Sequence, residues 1–108
     1  MQNISDKVKT ILGFAIKAGK VIFGTDNIAA SRRKKYLTVV CRTIAKKNID
    51  RIVAACPGTP VITTVNFDLG QIVHKDNCKA VAIVDQQMAN AIMNSYNNDM
   101  YHLISEGK

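Results

Sequence analysis

The sequence predicts a compact α/β sandwich, one domain built around a central sheet of about four strands. Three observations carry that prediction. Segments with helically spaced apolar residues alternate almost strictly with short β-rich runs. The boundaries between them fall on Gly, Pro, Asn, Asp, Ser or Thr. A chain of 108 residues with 47% hydrophobic content closes one core without disulfides or metals.

In chain order, Ser5 is a good N-cap, and Val8, Ile11, Leu12, Ala15 and Ala18 follow at helical spacing until Gly19 stops the helix. Residues 20–23 form a short β-rich run closed by Gly24. Thr25 or Asp26 then caps a second helix that runs through Ile28 and Ala29 into the basic run at 32–35. Residues 36–41 read as a strand. Thr43 caps a third helix with Ile49, Ile52, Val53 and Cys56 on one stripe, ended by Pro57 and Gly58. Residues 60–65 are the next strand. Asn66 caps a short helix through Phe67, Leu69, Ile72 and Val73, residues 74–77 form a polar loop, and 79–84 the last strand. Asp85 caps a final helix carrying Ala89, Ile92, Met93 and Tyr96, with a further helical turn at Met100, Leu103 and Ile104. Phe14, Phe23 and Phe67 are assigned to the core.

Cys41, Cys56 and Cys78 are odd in number and widely spaced. They fit neither a disulfide framework nor a CxxC pair and read as buried thiols of a cytoplasmic protein. No apolar run approaches the roughly 20 residues of a membrane span, and Lys7 and Lys9 interrupt the N-terminus before any signal-like stretch. Neither a membrane partner nor export is expected.

The net charge of +7 is unevenly distributed. Residues 1–54 hold twelve Lys or Arg against three Asp, a net +9, whereas residues 55–108 hold three Lys against five acids, a net −2. A basic half is the electrostatic footprint of a polyanion binder. Its densest feature is Arg32, Arg33, Lys34 and Lys35, supplemented by Lys17, Lys20, Arg42, Lys46 and Lys47. Four consecutive cations exceed what a helix C-terminus needs to satisfy its dipole, so phosphate contact is favoured.

Catalytic patterns are missing. Gly13 and Gly19-Lys20 have the wrong spacing for a phosphate-binding loop, Val21 replaces its Ser or Thr, and the stretch ends a helix instead of opening one. A packing glycine followed by a C-cap explains it. His74 and Cys78 are two potential ligands without a third, and neither GxSxG nor GxGxxG is present. No enzyme activity, metal or cofactor is expected. The RNP pattern of an RRM and a ladder of surface aromatics are also absent.

The run from Ile11 through Gly13, Phe14, Lys17, Gly19 and Lys20 to Gly24 resembles the opening of the ribosomal-protein family that recognises RNA kink-turns, most closely its small bacterial YlxQ-type members. The resemblance continues through the helix after Gly24, residues 60–65, Leu69-Gly70 and residues 80–85, covering roughly residues 4–95. It implies a three-layer α-β-α sandwich with a mixed four-stranded sheet, and binding of structured RNA. By that resemblance Gly24, Thr25, Asp26 and Asn27 face sheared G·A pairs, Lys17 and Lys20 are cationic positions at the end of the first helix, and His74, Lys75, Asp76 and Asn77 clamp an extruded nucleotide. Asp26 and Asn27 stand where typical members carry Asn and Glu, and Ala30 stands where they carry Lys. Asn27 still offers an amide to a guanine edge, Asp26 can cap the helix, and a phosphate-neutralising cation is missing. The expected partner is RNA, ribosomal RNA included, bound by a monomer. The competing expectation is a protein-interaction module of the same fold for an acidic partner.

Overall fold

The structure, a computed structural model, describes residues 6–106. It is an α-β-α sandwich in three layers, and its mixed sheet has five strands, one more than the pattern of the sequence suggests.

Helix α1 (Lys7–Lys17) starts at Asp6, whose carboxylate accepts from the Lys9 N–H at 3.0 Å. Ser5, the expected cap, lies outside the described residues. The helix closes as expected around Gly19, which takes φ 70° while its N–H and that of Lys20 return to the carbonyls of Ile16 and Ala15. β1 (Val21–Phe23) follows, then α2 (Thr25–Ala30), which is shorter than expected. Neither Thr25 nor Asp26 caps α2; Gly24 occupies the N-cap with φ 90°, a conformation that favours glycine. Ser31 is already extended, so the basic run is a loop leading into β2 (Leu37–Val40) and not the end of a helix.

α3 (Lys46–Ala55) begins after Ala45 and is not capped by Thr43, whose hydroxyl accepts from Lys79 Nζ at 2.6 Å instead. β3 (Val61–Thr64) leads to α4 (Leu69–Val73), with Asp68 at the N-cap position in place of Asn66. β4 (Ala80–Ile83) precedes α5 (Gln86–Met93), where Asp85 caps as expected, accepting from the Met88 N–H at 2.9 Å. The segment expected to add a helical turn is instead β5 (Tyr101–Ser105), an edge strand antiparallel to β3.

The sheet order is β1-β4-β2-β3-β5, with β2 and β3 the parallel pair. Strand alternation divides the core between two faces. On one face Leu37, Val39, Val81 and Ile83 pack with Leu12 of α1, Leu69 of α4 and Ile92 of α5. On the other, Val40, Val61, Ala80 and Ala82 pack with Ile28 of α2 and Ile52 of α3. All three cysteines are buried and free. Phe23 and Phe67 pack against the first cluster, but Phe14, expected in the core, is 61% exposed on α1. No helix among the described residues is long and apolar enough to cross a membrane.

Candidate nucleic-acid interface

The strand directions decide which sequence-distant residues meet. β1, β2 and β3 run one way and β4 the other, so the segments after β1, β2 and β3 and the loop before β4 emerge at one end of the sheet. At this near end Gly24, Thr25 and Asn27 share a groove of about 510 Å³ with Lys75, Asp76 and Asn77. A second depression of about 540 Å³ continues past Asp26 to Lys47, Asn48 and Arg51 on α3.

Several contacts fix the groove. The Lys75 ammonium sits 5.2 Å from the centre of the Phe23 ring, tying the 74–77 loop to the end of β1. Asn27 Nδ2 donates to the Phe23 carbonyl at 3.0 Å, so this amide nitrogen is engaged by its own chain. Asp26 pairs with Arg51 at 2.8 Å across α2 and α3. The loop turns through left-handed residues, His74 at φ 56° and Asn77 at φ 60°. Gly70 supports it: a Cβ there would stand 2.6 Å from the Lys75 carbonyl oxygen, and the Lys75 N–H donates to the Gly70 carbonyl at 3.2 Å.

Behind the loop lies a further depression of about 410 Å³ lined by Cys41, Asp68, Asp76, Cys78 and Lys79, with Arg42 paired to Asp68 at 3.0 Å at its edge. Burial raises the Cys41 thiol, but hydrogen bonds from the Thr43 hydroxyl and from the Thr43 and Leu69 backbone outweigh it and hold the thiol below its ordinary value. Burial pushes Cys56 and Cys78 up. Among the described residues, no three of His, Cys, Asp and Glu converge as a metal site.

The remaining expected contact residues lie elsewhere. Lys20 precedes β1, and the loop 31–36 precedes β2, so both emerge at the far end of the sheet. There Arg32, Arg33 and Lys34 are exposed around a depression of about 480 Å³, and Lys34 stacks over Tyr36 at 5.3 Å. Lys35 differs: it is buried, and its ammonium donates to the Ser31 carbonyl at 2.6 Å, so it braces the loop and does not face solvent. Lys17 and His74 line neither end but a groove between α1 and α4.

No family model matches the chain, and no curated protein does. A solved structure titled as a protein with unknown function from Bacillus halodurans C matches with a TM-score of 0.72 at 17% identity, covering 83% of this chain and 96% of that one. The likeness is one of fold.

The near-end groove and the depression that continues it thus join two segments that the sequence marks, 24–27 and 75–77, and Lys47 of the basic half, with three side chains it does not single out: Asn48, Arg51 and Lys79. A partial signal existed in the Lys46-Lys47 pair and in Arg51 one helical turn beyond Lys47. Only the sheet order brings that turn beside α2.

Proposed function

We propose that this chain binds structured RNA without catalysis, through the groove at the near end of its sheet. The observation that carries the reading is the meeting of Gly24, Thr25 and Asn27 with residues 75–77 in one groove edged by Lys75 and Lys79, continued by a depression lined by Asp26 and Lys47. The amide groups of Asn48 and Asn77 and the amide oxygen of Asn27 can pair with base edges or riboses, and the cations with phosphates. Asp26 is compatible with this because its charge is already met by Arg51.

The test is a titration at near-physiological salt with three RNAs: a kink-turn hairpin, the same hairpin with its G·A pairs replaced, and a plain duplex. The kink-turn hairpin should bind most tightly. With about four to six phosphates neutralised, log affinity should fall against log salt with a slope of roughly −3 to −5. Equal affinity for all three RNAs would overturn motif recognition, and a salt-independent response would overturn RNA binding itself.

A further inference from the structure

The groove between α1 and α4, about 740 Å³, contains the most exposed large apolar side chain among the described residues. Phe14 stands there 61% exposed, with Lys9 and Lys17 on the same helix and His74 on the opposite wall. We propose that this groove receives the unpaired strand leaving the RNA bound at the near end, with one base stacked on Phe14 and the phosphates on either side passing Lys9 and Lys17. The inference rests on the RNA-binding reading and extends it to a second contact.

Spacing and charge support this occupant. Along a helix rising 1.5 Å and turning about 100° per residue, Lys17 lies one turn beyond Phe14, about 4.5 Å along the axis and about 60° round it. Lys9 lies about 7.5 Å before it and about 140° round, across the groove face from the ring. An aromatic ring at the edge of a groove that also carries two cations is the combination that holds single-stranded nucleic acid. α1 contains no acidic residue between Lys7 and Lys17. The carboxylate lining the groove, Asp6, is engaged by the Lys9 N–H and by the Tyr101 hydroxyl at 3.0 Å.

The groove wall is also unusually bare. Gly13 sits within α1, where glycine costs about 0.5–1 kcal/mol relative to alanine. It is not the packing glycine the sequence suggests, because a Cβ there would meet nothing within 4 Å. Folding gains nothing from it, whereas an open wall beside Phe14 admits a flat ring.

Continuity with the near end distinguishes RNA from a protein partner. His74 lines this groove while its neighbours Lys75, Asp76 and Asn77 line the near-end groove, so the 74–77 loop is a ridge between the two. A strand leaving one groove enters the other by crossing that ridge. A docked protein helix needs a broad apolar centre, yet Ile72 and Val73 beneath the groove are already only 8% and 6% exposed. What remains is the Phe14 ring and part of Ile16, a patch the size of a base.

The experiment compares a blunt kink-turn hairpin with the same hairpin carrying four unpaired adenosines at either end, one of them 2-aminopurine. For the unaltered protein a tail should tighten binding roughly ten-fold, within the range of base–aromatic stacking, and quench the 2-aminopurine. Phe14→Ala should reduce the tailed RNA to the blunt RNA's affinity and restore the fluorescence, while Phe14→Trp keeps both effects. A tail without effect, or a tail effect that survives in Phe14→Ala, overturns the proposal. Phe14-dependent binding of an oligoglutamate peptide with no tail effect assigns the groove to an acidic protein and also overturns it. If neither hairpin binds, the RNA-binding reading itself has failed, a result distinct from equal binding of both.

Discussion

Two residues show how closely local chemistry and the groove are linked. Gly70 has no unusual backbone angle to explain it; the contact does, since any Cβ would press on the Lys75 carbonyl oxygen at 2.6 Å. Gly70→Ala should therefore cost about 1–3 kcal/mol in urea unfolding, and displace the 74–77 loop, seen as chemical-shift changes at residues 74–77. Tyr101 is the other. It is buried, and its hydroxyl donates to both Asp6 carboxylate oxygens at 3.1 and 3.0 Å, which holds the cap of α1 against β5. Burial first, and then the Asp6 charge, raise the phenol far above its ordinary value. An unfolded phenol ionises near pH 10, so this group's contribution to stability is complete below about pH 10 and declines above it, by up to about 1.4 kcal/mol per pH unit. Tyr101→Phe should lower stability at neutral pH by about 1 kcal/mol, and remove that alkaline decline from a series of unfolding curves at pH 8–11.

At the scale of elements, what the sequence conveys depends on whether the determining contact is local. α1 and α5 are legible because caps and apolar spacing are properties of the helix itself. β5 is not: only Tyr101 is buried along it, so no alternation of period two exists, and Met100, Leu103 and Ile104 fit a helical stripe equally well. Its partner β3, nearly forty residues earlier, decides the matter. The candidate site divides in the same way. Gly24 and the polar 74–77 loop are visible as punctuation and through the family resemblance, but the share of α3 depends on sheet order. The basic run reads as four equivalent cations, yet its last member is structural. Lys35→Met should cost about 1–3 kcal/mol by leaving the Ser31 carbonyl unpaired, without changing the salt dependence of RNA binding. Arg33→Gln should leave stability within about 0.5 kcal/mol, and make the salt slope shallower by about one. Chemical denaturation and salt titration of the two variants separate these outcomes.

Across the whole molecule, the charge asymmetry of the sequence becomes a division between two ends. Strands of four residues at about 3.3 Å each separate Lys75 and Lys79 at one end from Arg32, Arg33 and Lys34 at the other by about 13 Å along the strands, beyond the screening length of about 8 Å at physiological salt. The two groups would therefore act on a bound polyanion as independent charges. A ligand that binds the folded state alone stabilises it by about 2.7 kcal/mol at one hundred times its dissociation constant, which for a chain of this size raises the melting temperature by roughly 10 °C. Structured RNA should produce that rise at low salt and lose it as salt increases. Lys75→Met and Arg33→Gln should each reduce the rise, and the double variant should lose the sum of the two free energies to within about 0.5 kcal/mol. A larger discrepancy would mean that a single phosphate path runs from one end of the sheet to the other and couples charges that the fold holds apart.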